Sequence, residues 1–505
     1  MENLTPAAFL IPMTVALWVL WELVARVPRS APAQSPPEPL ARADVLIPAT
    51  IAGLFYLLAL WRLGTPEQFV FDEVHHVRTA MEYIEGLNPH EWTHPPLAKL
   101  IMAASMKVWG GSFDPRDAAW DPQQTLDART TIGWRYPGVV FGAFALIALY
   151  ALTRTLFENR KIAAAATLML ALDGVFFVHS RIGMTNIYTV CFILLGTTGT
   201  WLYIKRGSGA WLLLSGLGLG LALATRWTSL WAWGFNGLLL CWHLFAGEWR
   251  HWAATGKKPL WELVKWVGRI GGAMIVLPLA VYFLSYIPFV LQGEGAVAQK
   301  LFTSGEPGRV DWGQVLSGRN RAWGNGWYKV LEQQGDMWRY HTSLKERHPY
   351  ESPWWSWPLM LRPPWYYFES VEGKISGIWS IGNAFLWWGS LPALAMAAFL
   401  AHRERRTALG VVALMGIGMW LCWGIKPRPL IFMHYYFEAV PFACIALAYL
   451  GWRIWESNGK RDRFVVQVYA SLIGLWFAFY YPLLVALPVP DWFFRLHLWL
   501  KDVWV

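Results

Sequence analysis

The sequence predicts an all-α polytopic membrane protein, with about 11–12 spanning helices and two long outer connections. Three observations predict it. First, 55% of the 505 residues are hydrophobic and only 15% are charged, against roughly 25% charged in soluble domains. Second, apolar runs long enough to cross a bilayer, about 20 residues each, recur along the chain. Third, Lys and Arg gather in short clusters between those runs, on alternate connections, as topology signals do. The net charge of +10 is therefore an orientation signal rather than a nucleic-acid footprint. A disordered chain, a fibrous chain and an ordinary soluble enzyme are excluded.

In chain order the candidate spans are 7–25, 45–63, 134–156, 162–179, 186–204, 210–225, 228–246, 270–291, 378–400, 408–424, 430–450 and 464–488. The first follows Met1-Glu2-Asn3, which has no basic segment, so it does not read as a typical signal peptide. Residues 28–40 are rich in Pro and Ala and read as a flexible linker. Basic residues on alternate connections (Arg26, Arg29 and Arg42; Arg160 and Lys161; Lys205 and Arg206; Arg250 to Lys265; Arg403 to Arg406; Arg453 to Arg463) place those connections in the cytoplasm. Both termini and the connections 64–133 and 292–377 then lie outside.

The chain divides accordingly into 1–44, an extra helix and linker; 45–291, an N-terminal membrane region with the outer loop 64–133; 292–377, an aromatic loop; and 378–505, four helices and an outer tail. Within the first loop, 96–109 is apolar but too short to span. Lys99 and Lys107 fall near one face of it, which suits a helix lying in the interface. The second loop holds eight Trp and five Tyr between 292 and 378. Such flat faces suit a sugar ring and a headgroup belt equally. Cys191, Cys241, Cys422 and Cys444 lie in apolar runs with no metal or disulfide spacing.

Candidate chemistry starts at Phe71-Asp72-Glu73-Val74-His75-His76. Two adjacent carboxylates beside a bilayer are costly unless they have partners or work. His94-Pro95-Pro96 follows, and Arg135 opens the next span. Asp72, Glu73, His75, His76, His90 and His94 include metal-ligating types, but no spacing matches a metal motif. No metal and no cofactor are expected. Arg135, Arg181 and Arg226 stand at outer helix ends, against the positive-inside trend. They read either as headgroup anchors or as a phosphate clamp, which guanidinium suits by its planar fork of donors. A late cluster, Lys426-Pro427-Arg428-Pro429 and Phe432-Met433-His434-Tyr435-Tyr436-Phe437-Glu438, adds polar aromatics at an outer end. Gly382-Asn383 before Trp387-Trp388 reads as an unwound helix start.

These residues, in this order, resemble the protein O-mannosyltransferase family of bacterial type. Phe71-Asp72-Glu73-Val74-His75 is similar to its acidic motif, and His94-Pro95-Pro96-Leu97-Ala98-Lys99 to its His-Pro-Pro-Leu-Gly-Lys. Arg135, Thr225-Arg226-Trp227-Thr228, Ile381-Gly382-Asn383 with Trp387-Trp388, and His434-Tyr435-Tyr436-Phe437 match later motifs. The likeness covers roughly 45–488. It implies a C-type glycosyltransferase fold and a catalytic role for region 45–291. It also implies transfer of mannose from a polyprenyl phosphate to Ser or Thr of secreted or membrane proteins, by an inverting single displacement without metal.

By that resemblance Asp72 is the catalytic base and Glu73 its neighbour. Arg135, Arg226, His94, Arg181, His434, Tyr435 and Asn383 bind the donor phosphate or substrate. The partners implied are the polyprenyl phosphate mannose donor, an acceptor polypeptide, possible during its translocation, and membrane lipids, with no nucleic acid. The site would face outward across the plasma membrane. The departures are Asn186, where many members carry an acid, Arg226 for the usual Lys, and the extra helix 7–25. Rival readings are a related transferase with another sugar or a lipid or glycan acceptor, and a lipid or sugar transporter. A transporter puts charges near the midplane and often shows two similar halves. Here the charges gather at one face and no repeat is visible.

Overall fold

The computed structural model describes residues 37–111, 113–115, 126–292, 321–425, 428–457 and 459–498, with Glu22 and Ala25 beside them. The expected span 7–25, and most of the unit 1–44, lie outside the described residues.

The first half of the chain begins with α1 (Ala43–Leu60), whose Leu54, Leu57 and Leu58 are exposed. Two shorter helices follow in the first loop, α2 (Glu73–Glu85) and α3 (Leu97–Trp109). Each ends on a glycine in the left-handed region, Gly86 at φ 70° and Gly110 at φ 74°, where a side chain would be strained. Helix α3 occupies the expected interface segment, but its lysines part company. Lys99 is 1% exposed, whereas Lys107 reaches solvent.

The long α4 (Ala128–Phe157) starts under an Asp127 cap, whose carboxylate accepts from the Thr130 backbone N–H at 2.7 Å. The apolar run expected as one span at 162–179 is two helices, α5 (Arg160–Ala171) and α6 (Gly174–His179). The break has a cause. Asp173 caps α6 through the Phe176 N–H, and its other oxygen accepts from the Asn383 N–H and the Trp387 indole. A buried carboxylate needs such donors, and the backbone turns to supply them.

The hairpin α7 (Asn186–Arg206) and α8 (Gly209–Leu223) packs closely through small residues. A Cβ at Gly216 would stand 1.8 Å from the Ala273 carbonyl, so only glycine fits. Next come α9 (Ser229–His243), α10 (Trp249–Ala254), α11 (Pro259–Gly271), α12 (Leu277–Ser285) and α13 (Ile287–Gln292).

The second long connection is not structureless where it is described. It holds α14 (Arg321–Ser343), a 3-10 turn at Trp354–Leu359, and strands β1 (Trp365–Val371) and β2 (Lys374–Trp379). These strands pair antiparallel across Glu372-Gly373, both at positive φ, as a tight hairpin needs. The last helices are α15 (Ala384–Arg403), α16 (Thr407–Ile425), α17 (Val440–Glu456), α18 (Lys460–Tyr480) and α19 (Asp491–Arg495). Strand β3 (Val489–Pro490) adds to β2.

Seven helical stretches among the described residues are long and apolar enough to cross a membrane: Ala43–Leu60, Ala128–Phe157, Asn186–Arg206, Pro259–Ser285, Ala384–Arg403, Thr407–Ile425 and Lys460–Leu484. The chain is a multi-pass membrane protein. Four more expected spans exist as shorter or broken helices: α5 with α6, α8, α9, and α17 behind the 3-10 turn Met433–Glu438. One continuous apolar core runs through the bundle from Phe55 to Trp476.

Candidate active site

The acidic motif folds as a turn that leads into α2. Phe71 sits at φ 50°, a conformation costly for an aromatic residue and held by its neighbours. Its ring stacks on Tyr366 of β1 at 4.3 Å. This turn separates the two carboxylates. Glu73 points inward and is fully buried. Both of its oxygens are saturated: Arg135 Nε and Nη2 donate at 3.0 and 2.9 Å, and the backbone N–H groups of Val70 and Gly183 donate at 3.0 and 2.8 Å. Asp72 is the N-terminal flanking residue of α2, half-buried, and its side chain makes no capping bond. Its carboxylate accepts no hydrogen bond among the described residues.

Arg135 has no donor left for a ligand. Besides Glu73, it donates to the carbonyls of Leu63, Pro66 and Gln68 at 3.2, 2.9 and 2.8 Å, and it is 1% exposed. It ties three turns of the first loop to the start of α4, and the expected phosphate clamp does not fit this geometry. Arg181 is similar. It donates to the carbonyls of Ala59, Trp61 and Arg62, so it caps the C-terminus of α1, where a cation suits the helix dipole. Asn383 is a core pin: its amide donates to the Leu172 and Ile473 carbonyls at 3.0 and 2.9 Å.

Arg226 differs from these. It lies in the turn between α8 and α9, where Leu97 N–H donates to the Ala224 carbonyl and binds the start of α3 to that turn. The guanidinium is 5% exposed and lies 5.2 Å from the Tyr435 ring. It makes no hydrogen bond or ion pair with the described residues, and its Nε is buried without a partner. The buried Glu438 carboxyl, which accepts from the Thr228 hydroxyl, feels its charge at longer range.

Around it the aromatic groups form a continuous wall. His434 lies 4.8 Å from Tyr435 and 5.2 Å from His179, and the His179 Nε2 shares a hydrogen bond of 3.0 Å with the Tyr366 hydroxyl. Burial pushes the Tyr366 phenol well above its usual 10. The charge of Asp72 acts in the same direction and that of Arg226 against it. Tyr366 thus feels the charges of both Asp72 and Arg226.

The remaining wall comes from the two outer loops. His94 and His341 meet edge to face at 5.6 Å, and His341 Nε2 donates to the Thr93 carbonyl at 2.8 Å. Burial, with the field of Arg226 added, lowers His94 to about 3. Burial, then the charge of Arg428, lowers His341 to about 4. His76, Glu91 and His94 have ligand atoms within 4.8 Å of one another. Lys99, however, already holds Glu91 by its ammonium at 2.5 Å, so the place of a cation is filled.

The structure therefore brings together Asp72, His94, Arg226, His434 and Tyr435, and gives Glu73, Arg135, Arg181 and Asn383 scaffold roles. Sequence reasoning missed His179, Tyr366, His341 and Glu91. His179 lies two residues before Arg181, and Glu91 three residues before His94. Tyr366 and His341 were hidden in an aromatic loop where every residue had the same two readings.

Two family models match in order along the chain. The first is described as dolichyl-phosphate-mannose-protein mannosyltransferase, over residues 49–290, and the second as the C-terminal four-helix region of protein-O-mannosyltransferase, over 326–503. The polyprenol-phosphate-mannose–protein mannosyltransferase of Corynebacterium glutamicum is 26% identical, with 86% of this chain and 88% of that protein covered. The one from Mycobacterium tuberculosis is 23% identical, with 90% of each covered. Among solved structures, the Saccharomyces cerevisiae Pmt1-Pmt2 complex bound to the sugar donor has a TM-score of 0.74 at 16% identity, over 95% of this chain and 94% of that one. ArnT from Cupriavidus metallidurans bound to undecaprenyl phosphate has a TM-score of 0.51 at 14% identity, over 88% and 77%. These structures share the fold of membrane glycosyltransferases. With both family models in place over most of its length, the chain belongs to the protein O-mannosyltransferase family.

Proposed function

We propose that this protein transfers mannose from a polyprenyl phosphate mannose to Ser or Thr hydroxyls of secreted or membrane polypeptides. The site would face outward across the plasma membrane. The observation that carries the reading is the ordered match of both family models, at 49–290 and 326–503. The local chemistry supports it, because Asp72 and Arg226 both act on Tyr366, and neither is held by a salt bridge among the described residues.

The chemistry follows from the donor. The hydroxyl oxygen attacks the anomeric carbon, the bond from that carbon to the phosphate oxygen breaks, and its electron pair leaves with the polyprenyl phosphate. The hydroxyl proton passes to Asp72, which is worth about 10²–10⁴ in rate. The phosphate gains one negative charge as it leaves, and Arg226 meets that charge with its planar fork in a largely dry pocket. One carboxylate base and no covalent sugar intermediate give inversion. Glu73 and Arg135 hold Asp72 in place rather than touch the substrate.

Incubation of membranes carrying the protein with labelled polyprenyl phosphate mannose and a Ser/Thr-rich peptide tests this. Label is expected in the peptide, at Ser or Thr. Label that enters only a lipid or glycan would favour the related transferase, and donor movement across vesicles without transfer would favour a transporter.

A further inference from the structure

The segment 90–99 builds a relay that the displacement above does not use. Lys99 spends all three ammonium protons inside it, on the Glu91 carbonyl at 2.7 Å, the Glu91 Oε2 at 2.5 Å and the His94 carbonyl at 2.8 Å. Burial by itself raises the Glu91 carboxyl. The Lys99 ammonium and the neighbouring imidazoles outweigh burial and hold it well below the usual carboxylate range.

An ionised carboxylate only accepts hydrogen bonds. Its Oε1 accepts a hydrogen bond from the Thr93 hydroxyl, whose own oxygen lies 3.1 Å from His94 Nδ1, and stands 3.0 Å from that same nitrogen. The proton of the neutral imidazole therefore sits on Nδ1, and the lone pair on Nε2. That nitrogen has no hydrogen-bond partner among the described residues. The ring is 19% exposed, lies edge-on to His341 at 5.6 Å and feels the charge of Arg226. A lone pair repels a phosphate oxygen but accepts from a hydroxyl.

We infer that His94 reads a substrate hydroxyl through Nε2, and that Glu91, held by Lys99, is a positioning residue that fixes the imidazole tautomer. This rests on the mannosyl-transfer reading. The hydroxyl has two possible sources, the acceptor Ser or Thr and the ring of the sugar.

Wild-type transfer is measured first, with donor binding followed separately. His94→Ala is expected to lower kcat/KM about ten- to a hundredfold, the range of one lost hydrogen bond to a buried polar group. His94→Gln, which keeps an acceptor near the position of Nε2, should recover most of it. Glu91→Gln should approach His94→Ala, and the double variant should be no worse than His94→Ala alone. A loss confined to the peptide KM assigns the acceptor hydroxyl. A loss that disappears with a donor lacking one ring hydroxyl assigns the sugar.

Full activity in His94→Ala, equal losses in the Gln and Ala variants, or additive losses in the double variant would each overturn the inference. Should Glu91→Gln fail to fold, the ratio between the two His94 variants still decides it. A wild-type chain that transfers nothing would defeat the parent reading before any substitution is made.

Discussion

Two adjacent carboxylates can have opposite fates, because one residue of offset on a helix start turns one outward and the next into the core. Asp72 keeps its oxygens free, while Glu73 is closed by four donors. Substitution should separate them. Asp72→Asn is expected to cut mannosyl transfer by about 10²–10⁴ with donor binding and unfolding temperature intact. Glu73→Gln leaves Arg135 a buried charge without its counter-ion, and should cost about 3–5 kcal/mol of stability, read as a lower unfolding temperature in detergent. Arg226 offers the complementary test. Arg226→Lys keeps a charge and loses the fork, so donor affinity should fall about tenfold or more, measured by donor titration, with the fold retained. Full donor affinity in that variant would remove Arg226 from the phosphate.

Broken helices position this site more than whole ones do. Asp173 gathers the Phe176 N–H, the Asn383 N–H and the Trp387 indole at 2.9, 3.0 and 2.7 Å, and so links α6 to the start of α15. Asp173→Ala strands those buried donors. It should cost about 2–4 kcal/mol, seen in thermal unfolding, while activity per folded molecule stays near wild type. The break itself could not be read from hydropathy, since Leu172-Asp173-Gly174 sits in an otherwise apolar run. What was legible were features with local causes: the spans, the charge alternation, and the motif Phe71 to His76. The roles of Arg135 and Arg181 were not, because a buried arginine that saturates carbonyls and one that awaits a phosphate look alike until the carbonyls around them are known. Tyr366 was invisible for a related reason. Its partner His179 lies 187 residues away.

For the molecule in its membrane, orientation and pH are the accessible tests. Glu67 is exposed beside the acidic motif, so Glu67→Cys should react with an impermeant thiol reagent on intact cells. Labelling only after lysis would place the site inside. Acid should weaken the outer loops. His94 and His341 have folded values lowered to about 3 and about 4 from 6.5, so below pH 6.5 the unfolded chain binds more protons than the folded one. Stability should therefore fall as pH drops from 6.5 toward 4, by up to about 1.4 kcal/mol per pH unit for each histidine. Unfolding temperatures recorded between pH 7 and 4.5 check the sign, and a flat profile would contradict it.

The wall around Arg226 also sets an order of events during biosynthesis. Thr228, in the same turn as Arg226, bonds to Glu438, 210 residues later in the chain. At about 5–20 residues per second, a ribosome takes roughly 10–40 s to make that interval. Throughout it the nascent protein carries a cationic side chain inside a half-built bundle, with Tyr435 and Glu438 still unmade. Synthesis of the last helices is thus the step that surrounds Arg226 with Tyr435 and Glu438.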